Sequence, residues 1–161
     1  MLSVSFWREL LRICPGTSKR RLISDISQYN TVLNKLQRFF ADDAPINAKE
    51  NAIGCVSRMI LRHPQNIPLD LVLPAIVRSL PLKDYAENEP TYKMIIALYH
   101  AHNHIMLSLT DQLIVPLAKV LTAEDQQVKN ATKVSLLELV KVLRAEYPHL
   151  FEMQSGLGMP L

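Results

Sequence analysis

The feature that most constrains this chain is a helical face that returns after about forty residues. Between Asn47 and His63, the residues Ala52, Cys55, Val56, Met59 and Ile60 share one face of a 3.6-residue period. Asn47 with Glu50 three residues later reads as a capping box. His63-Pro64 closes the helix, because a residue ahead of proline is pushed out of the helical region. Next, Leu69, Val72, Leu73, Ile76, Val77 and Leu80 recur at helical spacing, with Pro74 in the first turn or at a kink and Pro81 as the stop. A shift of 42 residues carries Ala52, Ile53, Cys55, Val56 and Met59 onto Met94, Ile95, Ala97, Leu98 and Ala101, and Leu73-Pro74 onto Val115-Pro116. A shift of about 40 the other way carries Leu69, Val72, Leu73, Ile76 and Leu80 onto Tyr29, Val32, Leu33, Leu36 and Phe40.

Two helices per period of about 40–47 residues is the pattern of HEAT and armadillo repeats, so the expected fold is all-α, a HEAT-repeat α-α superhelix (solenoid) fragment. The expected organisation is an atypical basic segment over 1–24, repeats over 25–147 and a loose tail over 148–161. Within the repeats, a helix at about 25–41 is the second half of a broken repeat. Helix pairs 47–63 with 69–80 and 89–103 with 110–121 follow, then a final helix over 124–147 capped by Thr122 and Asp125. One helix pair cannot bury its own inner face, so neighbouring pairs must stack and share a continuous core. That logic places Val56, Met59, Ile76, Leu80, Ile95, Leu98, Leu117, Leu121, Leu139 and Leu143 inside. Residues 134–143 are apolar nearly all round, which predicts a helix covered on more than one side.

The net charge of +3 is misleading until it is located. Arg8, Arg12, Lys19, Arg20 and Arg21 stand against Glu9 in the first 24 residues, so the body of the chain is close to neutral. No basic face interleaved with aromatics follows, which argues against a nucleic-acid partner. The Arg-rich, acid-poor start also fits a mitochondrial presequence, a minority expectation beside cytoplasm and nucleus. No apolar run approaches the ~20 residues that span a bilayer, so no membrane partner is expected. Cys14 and Cys55 have no metal spacing and read as two buried thiols.

Chemistry is hard to assemble. His100 and His104 lie one turn apart, with His102 between, but no glutamate of the HExxH kind accompanies them and two further zinc ligands are missing. With four glycines, two of them in the tail, a phosphate-cradling loop is hard to build. The expectations are no catalytic residue, no metal and no cofactor: a binding protein and not an enzyme. The most distinctive segment outside the core is the stretch Pro81 to Pro90, read as an inter-repeat loop carrying Asp84, Glu87 and Glu89. Solenoids present loops and one helix row to their ligands, so these acids are the candidate contact for a basic partner.

The residues from Asn47 to Ile60, followed by Leu80-Pro81-Leu82-Lys83-Asp84 and Glu87-Asn88-Glu89-Pro90, resemble the C-terminal HEAT repeats of importin-β (karyopherin-β) superfamily nuclear import receptors. The branch they are most similar to contains importin four and its fungal karyopherin relatives, and the likeness covers about residues 28–150. That resemblance implies basic protein cargo, histones or ribosomal proteins, carried through the nuclear pore. It also implies contact with phenylalanine-glycine nucleoporins and release by the Ran GTPase, through repeats this chain lacks. Asp84-Tyr85 stands where relatives tend to carry two consecutive acids. The alternative is a HEAT scaffold or adaptor with an unrelated protein partner.

Overall fold

The computed structural model describes residues 26–41 and 43–152. Among these residues every regular element is helical. The helices are α1 (Ile26–Leu36), α2 (Ile46–Arg62), α3 (Leu69–Arg78), α4 (Tyr85–His100), α5 (His104–Ser108), α6 (Thr110–Thr122), α7 (Asn130–Glu146) and α8 (Pro148–Glu152). A 3-10 turn, Gln37–Phe40, prolongs α1 and buries Phe39. Two rows result. The helices α2, α4 and α7 lie side by side in one, and in the other α3 packs on α5 and α6, and α6 on α8. This is the stacked-hairpin arrangement that the periodicity predicts.

The core runs continuously between the rows. Of the expected core residues, all are buried except Leu80, which is half-buried and packs against the rest. Cys55 is wholly buried; Cys14 and the basic segment over 1–24 lie outside the described residues.

Helix α4 is covered on both sides, by α2 and by α7. From Thr91 onward its buried residues (Thr91, Tyr92, Met94, Ile95, Ile96, Leu98 and Tyr99) match the buried Ala52, Ile53, Cys55, Val56, Ser57, Met59 and Ile60 at an offset of 39 residues. The offset of 42 is therefore corrected for this pair of helices. Three residues are nearly one helical turn, so the wrong register still lands apolar residues on apolar ones. In the second row, too, 42 matches poorly, since buried Leu73 and Val77 fall on half-buried Val115 and exposed Lys119, whereas an offset of 41 carries Leu73, Ile76 and Val77 onto the buried Ile114, Leu117 and Ala118.

Helix ends differ from expectation where tertiary partners take over. α4 starts at Tyr85 and not at 89, because Asp84 is extended and its carboxylate accepts the Ala86 N–H, a side-chain N-cap. Its C-terminus is a Schellman motif, in which the Asn103 N–H bonds the Leu98 carbonyl and the His102 N–H the Tyr99 carbonyl. His102 takes the left-handed conformation at φ 50° that this motif requires. Asn103 then caps α5 through Ile105 and Met106.

α7 starts at Asn130 and not at 124, and the Thr122–Asp125 box does not form: Thr122 bonds back to the Ala118 carbonyl, and Asp125 accepts from Tyr85. α7 is covered on more than one side, as expected, by α4, α6 and α8, while Val134 at 55% exposed and Val142 at 51% face outward. The tail expected to be loose begins with α8, whose Phe151 is buried where α8 packs on α7 and α6.

The register of α4 can be tested by substitution. Met94→Ala should cost about 2–4 kcal/mol in urea unfolding, as loss of a fully buried side chain does. Ala97→Gln, on the exposed face, should stay within about 0.5 kcal/mol. The offset of 42 would make Ala97 the counterpart of the buried Cys55, so that Ala97→Gln would be costly as well.

Candidate interaction surface

The segment singled out for its acids is built into a polar seam between the first-row helices. Glu50, in the second turn of α2 and only 7% exposed, accepts the backbone N–H groups of Lys83 at 2.7 Å and Asp84 at 3.1 Å. It is not the partner of an Asn47 cap, so the capping box is corrected; no side chain caps α2. One helix further on, Glu89 does the same for α7. Its carboxylate accepts the Lys129 N–H at 2.8 Å and the Thr132 hydroxyl at 2.8 Å, and pairs with Lys93 at 2.9 Å. Glu50 and Glu89 are each the fifth residue of their helix. Each holds the entry of the following helix in place by satisfying N–H groups that the chain there cannot satisfy itself.

Between them, Asn88 is wholly buried and grips the Leu82 peptide from both sides. Its amide nitrogen donates to the Leu82 carbonyl at 2.9 Å, and its oxygen accepts the Leu82 N–H at 3.1 Å. Glu87 turns the other way, onto α2, and forms a two-pronged pair with Arg58 at 2.6 and 3.3 Å. The planar guanidinium matches the carboxylate, and both partners are largely shielded from water. That pair exists because residue 54 is glycine. A Cβ there would collide with the Glu87 Oε2 atom, so only a bare backbone lets the carboxylate cross α2 to reach Arg58.

Of the three candidate contacts, Asp84 alone belongs to an exposed residue; Glu87 and Glu89 are half-buried and committed to Arg58, Lys93, Lys129 and Thr132. Tyr85 carries the exposed edge further, its hydroxyl donating to the Asp125 carboxylate at 3.3 Å, with Glu124 exposed beside it. His100, His102 and His104 lie around the exposed end of α4, and among the described residues no three potential ligands gather around one point. No helix among the described residues is long and apolar enough to cross a membrane.

Sequence reasoning missed the roles of Glu50, Gly54, Arg58 and Asn88. The available signal was Gly54 itself, a glycine in the middle of a strong helix in a glycine-poor chain, one turn before an arginine.

Fold and seam together define the class, a helical-repeat protein of the HEAT type whose successive hairpins are tied by buried carboxylates. Against known proteins, the chain is 43% identical over 122 residues to a protein of Schizosaccharomyces pombe described as "Probable importin subunit beta-4". The match takes in 75% of this chain and 11% of that relative. These repeats are a fragment of importin-β family type. No family model matches the chain, and no solved structure matches it.

The seam can be probed through pH and through the glycine. Burial works to raise the Glu89 pKa, but the Lys129 N–H, the Lys93 ammonium and the Thr132 hydroxyl together outweigh it and hold the carboxyl below its ordinary value. A carboxyl lowered on folding lends stability above the usual glutamate range and withdraws it as pH falls through the lowered value. Glu89→Gln should therefore shrink the loss of unfolding free energy between about pH 7 and about pH 3, read from urea titrations at both.

Gly54→Ala should forfeit the gain of about 1 kcal/mol that alanine normally brings to a helix interior, because it expels Glu87 from Arg58. In a Glu87→Ala background the same substitution should recover that gain, giving a coupling of about 1 kcal/mol or more in a double-mutant cycle.

Proposed function

We propose that this chain is part of a nuclear import receptor and contributes to holding basic protein cargo, moving between cytoplasm and nucleus. The observation that carries the reading is the 43% identity to an importin β-4 across three quarters of the chain. Because the chain spans only 11% of that relative, cargo choice, nucleoporin contact and release by Ran are properties of the longer receptor in this proposal.

The cargo contact is the edge at Asp84, Glu87 and Glu89. Asp84 meets the basic polypeptide directly, and Glu87 and Glu89 fix the helix that presents it. The exposed Glu124 and Asp125 extend the same negative edge. Attraction of this kind is between exposed charges, so it weakens as salt shortens its range.

The test is capture of a lysine-rich histone tail peptide by the full chain, measured at low and physiological salt. Joint reversal of Asp84, Glu124 and Asp125 to lysine should weaken capture about tenfold at low salt and less at high salt. Losing the Asp84 cap should cost about 1 kcal/mol, so urea unfolding should confirm that the variant remains folded. Capture that ignores the reversal would remove the proposed contact. One stable complex with an unrelated partner from the cytoplasm, and no basic polypeptide, would favour the scaffold reading instead.

A further inference from the structure

A groove of about 630 Å³ opens between α2, α4 and the segment ahead of α7. It is lined by Arg58 and Leu61 of α2, by Tyr85, Ala86, Glu89, Pro90 and Lys93 of α4, and by 126–129 ahead of α7. Its floor holds large apolar side chains left open to water: Leu61 is 40% exposed and Tyr85 45%. The charged groups of its lining are Arg58, Lys93, Lys129 and a single carboxylate, which is already occupied. Glu89 serves the Lys129 N–H, the Thr132 hydroxyl and Lys93, while Arg58 is held by Glu87.

Among the described residues, the Lys129 ammonium forms no ion pair, and Lys129 is exposed. The Lys93 side chain is half exposed and makes one ion pair, leaving donors for a second acceptor. The groove therefore offers apolar surface under an ammonium rim whose charge the seam does not fully cancel.

We propose that this groove binds a protein partner through an extended acidic segment carrying a large apolar side chain. The apolar group would lie on Leu61 and the Tyr85 ring, and the flanking carboxylates would meet Lys129 and Lys93. Charge complementarity selects this occupant: the rim repels the basic polypeptides suited to the Asp84 edge. Two available ammonium groups above an apolar floor also suit a peptide better than a nucleic acid, which needs a longer run of cations with stacking aromatics. The surface is thus separate from the proposed cargo contact, although Tyr85 borders both.

The experiment uses the full chain and a short fluorescein-labelled peptide with one leucine flanked by glutamates, read by fluorescence anisotropy. Lys129→Glu should weaken binding about tenfold or more, and Leu61→Ser by a similar factor. Both positions are exposed, and urea unfolding should confirm that each variant remains folded. Asp84→Asn, which keeps a side-chain cap on α4, should leave this binding within about twofold, which separates failure here from failure of the cargo reading.

The proposal is overturned if neither Lys129→Glu nor Leu61→Ser weakens binding, or if replacing the peptide leucine by serine leaves affinity intact. A neutral phenylalanine-containing peptide binding equally well would overturn the acidic part. An oligothymidylate that binds with the same sensitivity to Lys129→Glu, and none to Leu61→Ser, would assign the groove to nucleic acid and sink it as well.

Discussion

The structure depends on a backbone problem solved by a neighbour's side chain. The turn leading into a helix exposes N–H groups that no carbonyl of that helix can accept. In this chain the preceding first-row helix supplies the acceptor: Glu50 for Lys83 and Asp84, Glu89 for Lys129. A buried carboxylate is costly unless its oxygens are filled, and each of these is filled by the next hairpin. Stacking and hydrogen bonding thereby become one event. A hairpin displaced along its neighbour would leave a buried charge and unpaired N–H groups together, so the clamp sets register where the apolar core alone would tolerate slippage.

That tolerance explains what was legible in the sequence and what was not. Helix pairing and most of the core followed from periodicity, because apolar faces recur whichever turn they are counted from. The offset between α2 and α4 did not. Reading 42 in place of 39 shifts the match by about one turn, and apolar residues still fall on apolar ones. Only polar residues break the degeneracy, since Glu50 answers Glu89 at 39 and meets Tyr92 at 42. Glu50 instead read as half of a capping box, a local pattern that the structure overrides with a longer-range partner. The same competition moved the start of α7, where Asp125 answers Tyr85 in place of Thr122.

The acidic segment shows why charge counts read poorly without a fold. Asp84, Glu87 and Glu89 look alike in one dimension. In three, Asp84 caps its own helix, Glu87 reaches back through the gap at Gly54, and Glu89 reaches forward to α7. The spacing of the two glutamates makes this division possible. Residues 87 and 89 in a helix point about 200° apart, which sends one carboxylate to α2 and the other to α7. A loop would not impose that divergence. Once α4 is known to begin at Tyr85, the two glutamates become the two flanks of a helix enclosed on both sides.

Enclosure also decides where the outer surface can carry contrast. Because the seam absorbs the negative charge of Glu87 and Glu89, the groove lining keeps the cations Lys93 and Lys129, while three exposed acids, Asp84, Glu124 and Asp125, stand at the neighbouring turns. Tyr85 stands on the boundary, lining the groove and giving its hydroxyl to Asp125. A row of helices tied by buried carboxylates thus sorts its surface charge as a by-product of its own stacking. Around this groove Asp84, Glu124 and Asp125 stand at the turns and Lys93 and Lys129 line the gap between helices, so opposite charges can act within one helix length of each other without cancelling.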